Sequence, residues 1–296
     1  MSDKPTDPHK DEVETTGHEW DGLTELNTPL PRWWLWTFYG CIIWAVGYTI
    51  LYPAWPLVER ATPGLLGYST RAEARQELDA FAERHAPLNA QLEAIDMTQL
   101  ASQPELQTYA IQGGAAVFRA HCIQCHGSGA DGIADGNGYP HLGDDDWLWG
   151  GGIDDILYTI THGIRNEDDW DARWSEMQAF GNDGILTGDE VDRVVQHVLA
   201  ISGQEHDAAM ATDGAELFAV HCVSCHGPEG LGDPTQGAPN LTDRIWLYGG
   251  DVASLTETLM NGRFGIMPAW GAAGNGLSEA QLRQVAAYVH QLGGGE

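Results

Sequence analysis

Two motifs of cysteine and histidine with the same spacing occur in this chain, in the segments HCIQCHG (residues 121–127) and HCVSCHG (residues 221–227). Each contains the pattern C-x-x-C-H, in which two thiols can add across the two vinyl groups of one porphyrin. The histidine after the second cysteine then becomes the proximal ligand of the iron. The two motifs therefore predict two haem c groups. The covalent and proximal residues are predicted to be Cys122, Cys125 and His126 for haem 1, and Cys222, Cys225 and His226 for haem 2.

Other uses of a C-x-x-C pair are a thioredoxin-like redox couple, half of a zinc site, or a disulfide in an oxidising compartment. None of these requires a histidine directly after the second cysteine, and both motifs have one. The pattern therefore favours haem attachment. The fifth cysteine, Cys41, lies in an apolar stretch and is predicted to face lipid or a neighbouring helix.

The motifs belong to an internal repeat of nearly one hundred residues. Residues 114–127, 139–151 and 186–203 match residues 214–227, 238–250 and 277–294, and residues 166–176 have no full counterpart. Apolar residues at helical spacing end each copy, so each is predicted to be a small helical cytochrome c domain. The predicted domains are 105–204 and 205–296. In each, the first and last helices should cross within the copy, at Gly114 near His197 and at Gly214 near Tyr288.

A sixth iron ligand is predicted from two matching methionines, Met177 in MQAFG and Met267 in MPAWG. A thioether is a neutral ligand that favours reduced iron, so it raises the reduction potential. The alternative is that both fill the core, but their matching positions favour ligation. Six other histidines are expected in the core or at the surface: His121, His141, His162, His197, His221 and His290. For Trp147 and Trp246, haem packing and ordinary core packing stay open.

The N-terminal part predicts a membrane anchor. Residues 33–51 carry no charged side chain and are long enough to cross a hydrocarbon core. The predicted parts are a cytoplasmic tail (1–32), a transmembrane helix (33–56) and a periplasmic helical connector (57–104). The count of positive charges does not fix the orientation. Because haem c is attached outside the cytoplasm, the haem domains should be periplasmic, on the bacterial inner membrane.

The connector is predicted to contain a charged helix that opens with a capping box of Thr70 and Glu73 and runs to about Arg84. Pro87 and Pro104 should break further short helices. Whether this segment packs on the haem domains or is only a spacer stays open.

The net charge is −29, with 14 basic and 43 acidic residues. An acidic surface would steer a basic electron donor, and adaptation to a salty or alkaline habitat explains the acidity equally well. The charge and the location exclude nucleic-acid binding.

The stretches DGLTELNTPLPRWWLWTFYG (residues 21–40) and GYTILYPAWP (residues 47–56) resemble the diheme subunit III of cbb3-type cytochrome c oxidases. The resemblance extends from about Glu19 to the C-terminus. It implies an all-α chain with one N-terminal transmembrane helix, a helical connector and two tandem class I cytochrome c domains. It also implies a non-catalytic subunit that takes electrons from a soluble or membrane-anchored cytochrome c donor.

The same resemblance implies that electrons pass to a monohaem cytochrome c subunit and then to a catalytic haem–copper subunit, which reduces oxygen to water and pumps protons. Two rival functions stay open. One is a diheme subunit of another periplasmic redox enzyme, which should show a different sequence in the span. The other is a diheme peroxidase, which needs one iron without a fixed sixth ligand, and the matching methionines argue against it.

Overall fold

A computed structural model of the chain describes residues 14–132, 138–271 and 276–293. Two compact units can be separated, the first ending at Glu83 and the second running from Arg84 onward. The first begins with an antiparallel hairpin of strands β1 (Thr15–Trp20) and β2 (Leu23–Leu26). The predicted all-α architecture did not include this small sheet. Residues Asp21 and Gly22 turn the chain with positive φ angles of 51° and 83°, a conformation typical of hairpin turns.

Helix α1 (Arg32–Leu51) follows the hairpin and buries none of its residues within the structure. It is 20 residues long and apolar enough to cross a membrane. The helix ends five residues before the predicted limit of the span, because Pro53 cannot continue it. Beyond it the chain folds back, and the amide of Leu65 donates to the carbonyl of Ile50 at 3.0 Å.

Helix α2 (Thr70–Ala94) corrects two predictions for the connector. Its first turn is capped by Ser69, whose hydroxyl accepts a bond from the amide of Ala72 at 3.3 Å, and not by a Thr70–Glu73 box. The helix also continues through Pro87. A proline removes one helical hydrogen bond, but the turns beyond it carry Leu88 and Leu92, which pack in an apolar core.

The second unit is helical. Its helices are α3 (Pro104–His121), α4 (Ile123–His126), α5 (Ile153–His162), α6 (Gly188–Ile201), α7 (Ala208–His221), α8 (Val223–His226), α9 (Val252–Asn261) and α10 (Glu279–His290), preceded by a 3-10 helix (Met97–Ser102). Pro104 opens α3, as its missing amide allows at a first helical position. Capping boxes at Thr187 with Glu190 and at Ser278 with Gln281 open α6 and α10.

Each packed half of this unit takes helices from both copies of the repeat. Helix α3 packs against α10, and α6 packs against α7. A side chain on Gly114 would collide with the backbone of Gln284, and one on Gly214 with the backbone of Arg193. The predicted crossing of the first and last helices within one copy is therefore wrong. The limits 105–204 and 205–296 describe the repeat in the sequence but not the two packed halves.

Two apolar cores follow the same exchange. One joins Phe118 of α3 to Val285 of α10, and the other joins Phe218 of α7 to Val195 of α6. A third core joins Leu92 of α2 and Leu100 of the 3-10 helix to Leu106 and Ala287. The end of the connector, from residue 84, therefore packs on α3 and α10 and is not a free spacer.

Candidate haem sites

The two C-x-x-C-H motifs form equivalent single helical turns, α4 and α8. In each turn the amide of the histidine donates to the carbonyl of the first cysteine at 2.9 Å, from His126 to Cys122 and from His226 to Cys222. This turn brings both thiols and the imidazole of a motif to one place, as attachment of one porphyrin requires.

The two histidines are oriented from behind by backbone carbonyls. The Nδ1 atom of His126 lies 3.3 Å from the carbonyl oxygen of Pro140, and that of His226 lies 3.1 Å from the carbonyl oxygen of Pro239. A carbonyl can only accept, so Nδ1 carries the proton and Nε2 keeps the lone pair. Burial lowers the pKa of both histidines, and the carbonyl bonds partly offset this. A neutral ring with a free Nε2 is the form that binds iron.

The first cysteine of each motif is a poor redox thiol. Burial raises the pKa of Cys122 and Cys222 to about 11, with a smaller contribution from the second cysteine of each motif. A catalytic redox thiol needs a lowered pKa. The thiols therefore do not suit a thioredoxin-like couple.

Each motif opens into a cavity that also receives a methionine, and the methionine comes from the other copy of the repeat. Cavity 1, of about 310 Å³, is lined by the first motif and by Met267. Cavity 2, of about 290 Å³, is lined by the second motif and by Met177. The structure thus brings His126 together with Met267, and His226 together with Met177. Each cavity therefore combines the motif of one copy of the repeat with the methionine of the other copy.

Short backbone pairings hold the exchanged methionines. The amide of Met267 donates to the carbonyl of Ile164 at 3.0 Å, and Ile164 returns the bond at 3.0 Å. In the other half, Arg263 donates to the carbonyl of Met177 at 2.9 Å. Gly163 and Gly262 precede these pairings with φ of 74° and 71°. A side chain on either would meet the carbonyl oxygen of the methionine opposite.

The remaining lining of the cavities suits a porphyrin. Cavity 1 is walled by apolar side chains that include Phe118, Leu142, Ile160, Val285 and Val289. Trp147 lines cavity 1 and Trp246 lines cavity 2, and both also pack against the cores. Two thiols, an imidazole and a thioether that line one largely apolar cavity fit a haem c group.

The histidines directly before the motifs also line the cavities. His121 lines cavity 1 with its ring centroid 5.3 Å from that of Trp270, and His221 lines cavity 2 at 6.3 Å from Phe180. Among the other histidines, His162 contacts Asp169 at 3.0 Å.

Sequence reasoning missed the residues that the two cavities share. Among the residues that the structure describes, five line both cavities: Asp146, Leu148, Arg165, Leu247 and Tyr248. We call them the shared wall. Burial, together with the nearby charges of Asp243 and Asp144, raises the pKa of Asp146 to about 6. The repeated WLWGG and WLYGG segments contain part of this wall, but no pattern in the sequence places them side by side.

Comparison with known proteins gives matches along most of the chain. Residues 110–198 and 209–289 match the family described as "Cytochrome C oxidase, cbb3-type, subunit III". Residues 12–59 match the family described as "N-terminal domain of cytochrome oxidase-cbb3, FixP".

Individual relatives are similar over their full length. A Cereibacter sphaeroides protein named "Cbb3-type cytochrome c oxidase subunit CcoP" is 57% identical over 296 residues, covering 100% of both chains. A Rhodobacter capsulatus protein of the same name is 54% identical over 302 residues, again covering 100% of both. A Sinorhizobium medicae protein named "Cbb3-type cytochrome c oxidase subunit FixP" is 44% identical over 299 residues, with the same coverage.

Proposed function

The chain belongs to the family of subunit III of cbb3-type cytochrome c oxidases, and from this membership we propose that it binds two haem c groups and brings electrons into the oxidase. It is a membrane-anchored cytochrome c subunit of that enzyme. The observation that carries the proposal is the pair of cavities, each lined by a C-x-x-C-H turn and by a methionine.

We assign the ligands across the repeat. Cys122 and Cys125 would hold haem 1, with His126 and Met267 as the ligands of its iron. Cys222 and Cys225 would hold haem 2, with His226 and Met177 as the ligands of its iron. The support is the lining of the two cavities and the backbone pairings that fix each methionine.

Haem iron with these ligands supplies a one-electron couple with a raised reduction potential. The protein contributes the rest. The carbonyls of Pro140 and Pro239 orient the histidines, and the apolar walls exclude water. With a histidine and a methionine as its ligands, each iron would keep no position open for a substrate. The subunit therefore transfers electrons and performs no oxygen chemistry of its own.

The partners follow from this role. The chain takes electrons from a soluble or membrane-anchored cytochrome c and passes them to a monohaem cytochrome c subunit and a catalytic haem–copper subunit. That assembly reduces oxygen to water and pumps protons. We place the N-terminus in the cytoplasm and the haem cavities in the periplasm, because haem c is attached on that side.

Gentle purification from membranes through a tag on this chain tests the proposal. The eluate is assayed for covalent haem, b-type haem, copper and cyanide-sensitive oxygen uptake driven by reduced cytochrome c. We expect two covalent haems per chain, with the other three signals co-purifying. Two covalent haems without b-type haem or oxygen uptake, even after crosslinking, would identify a free-standing diheme carrier instead. Peroxidase activity in that fraction would identify the third class.

A further inference from the structure

Arg165 connects the two loops that carry the exchanged methionines. Its Nε donates to the carbonyl of Gly265 at 2.6 Å, two residues before Met267. Its Nη1 donates to the carbonyl of Ser175 at 2.5 Å, two residues before Met177. One guanidinium therefore holds the backbone of both methionine loops. Its planar, fixed fork of donors suits such a double contact.

The backbone of Arg165 indicates that its side chain is needed there. Its φ is +50°, in the left-handed region that favours glycine or asparagine. Such conformations cost free energy and persist where the surroundings impose them, often at functional sites. The matching position in the second copy of the repeat is Phe264, so the repeat itself does not dictate an arginine.

Arg165 is also the basic member of the shared wall, since it lines both cavities. Among the residues that the structure describes, no carboxylate lies within ion-pair distance of its guanidinium. Burial lowers the pKa of Arg165, and electrostatic interactions with Tyr248 and Glu176 partly offset this. An arginine nevertheless stays charged at physiological pH. A positive charge in a partly buried wall acts on both neighbouring sites with little screening.

We propose that Arg165 is a positioning residue shared by both haems, which fixes the two methionine loops to each other and raises both reduction potentials. The inference rests on the proposed function, because it concerns the two haem sites. Fe(II) haem carries one positive charge fewer than Fe(III) haem, so a nearby cation favours the reduced state. Loss of the cation should therefore lower both potentials together.

The test uses the full-length, membrane-anchored chain and spectroelectrochemical titration of each haem. Two parent chains report one haem each: Cys222→Ser/Cys225→Ser leaves haem 1, and Cys122→Ser/Cys125→Ser leaves haem 2. Arg165→Asn tolerates the left-handed backbone and removes the guanidinium. We expect it to shift the oxidised-to-reduced ratio roughly tenfold in both parents, a lowering of ~59 mV for a one-electron couple.

Arg263→Gln is the matched control. Arg263 lines cavity 2 but is not among the described residues that line cavity 1. Its Nη1 atom lies 3.3 Å from the Oε1 atom of Glu257. It should lower the potential of haem 2 alone. Arg165→Lys keeps the charge but not the fork, so it should lower both potentials less than Arg165→Asn does while still weakening the methionine-to-iron charge-transfer band.

The outcomes separate the two proposals. A wild-type chain that lacks covalent haem would refute the haem assignment itself. Parents with normal haem in which Arg165→Asn moves neither potential, or only one, would overturn the shared role of Arg165 and leave the haem assignment intact. A normal charge-transfer band in both Arg165→Asn and Arg165→Lys would overturn the positioning part.

Discussion

Met177 and Met267 occupy equivalent positions in the repeat, yet each lines the cavity that holds the other copy's haem motif. In the sequence, each methionine follows a motif by roughly fifty or forty residues and invites assignment to it. The backbone pairing of Met267 with Ile164 and of Met177 with Arg263 decides otherwise. The residue type predicts methionine as the ligand, but nothing in the sequence predicts which of the two motifs shares a cavity with it.

The crossed assignment predicts which haem responds to which methionine. In the parent that keeps only haem 2, Met177→His should lower the reduction potential by on the order of 0.1–0.3 V, part of the roughly 0.8 V range that axial ligands span. Met267→His in the same parent should change it little. Redox titration measures both variants. The opposite result would return each methionine to its own copy.

Asp146 predicts a pH dependence for both haems. Burial and the charges of Asp243 and Asp144 raise its pKa to about 6 from an ordinary value of 3.8. The carboxyl is therefore neutral below pH 6 and negative above it. A negative charge in the shared wall favours oxidised iron, so both potentials should fall as the pH rises through about 6. Redox titrations at pH 5 and pH 7.5 would show the change.

Asp146→Asn provides the control for this dependence. The amide cannot ionise, so the step near pH 6 should disappear and the potentials at pH 7.5 should rise to the values seen at pH 5. Asp145→Asn offers a comparison, because Asp145 is adjacent in sequence but exposed and absent from both cavity linings. A step that persists in Asp146→Asn would assign it to another group.

At the scale of elements, the sequence predicted most of the helices but not their partners. The apolar spacing of α6 and α10 and the glycines of α3 and α7 indicate that first and last helices cross. Both copies, however, offer the same surfaces: glycine and phenylalanine on the first helix, and a ring on the last. Phe118 meets Tyr288 at 5.3 Å, and Phe218 meets His197 at 5.0 Å. Such a pattern fits helix pairing within one copy as well as pairing between the copies. The backbone pairings in the connections after α5 and α9 select pairing between the copies.

Gly262 begins the equivalent connection after α9, and its substitution tests this pairing. An added Cβ would strike the carbonyl oxygen of Met177, and the φ of +71° already disfavours any other residue. Gly262→Ala should therefore destabilise the fold by more than about 1 kcal/mol and weaken the methionine ligation of haem 2 more than that of haem 1. Thermal unfolding and the charge-transfer band of each single-haem parent report the two effects.

Gly184→Ala is the matched control for Gly262→Ala. Gly184 has a similar φ of +69°, but nothing lies within 4 Å of an added Cβ. It should show only the backbone cost of about 1 kcal/mol and leave the ligation unchanged. Equal effects of the two variants would mean that the close approach to Met177 is unimportant.

At the scale of the whole molecule, the exchange makes the two haem sites one folding unit. The core around cavity 1 contains α3 of the first copy and α10 of the second, and the core around cavity 2 contains α6 and α7. Neither copy can therefore complete its own cavity when the other unfolds. The shared wall also couples the two sites, since Leu148 and Tyr248 contribute to both cavities. The sequence repeat concealed this, because it presents the copies as independent.

The net charge of −29 belongs to the same scale, and its two explanations make different predictions. If the acidic surface steers a basic cytochrome c, the rate at which this donor reduces the subunit should fall at least tenfold as the ionic strength rises from about 0.01 M to 0.15 M, where the Debye length shortens from ~30 to ~8 Å. Stopped-flow reduction measures that rate, with an uncharged hydroquinone as the control donor that salt should not slow. If both donors respond alike, steering is absent, and the acidity then reflects the salt or pH of the habitat. A fall in rate confined to the basic donor would show that the charge of the whole molecule steers this donor to the haem sites.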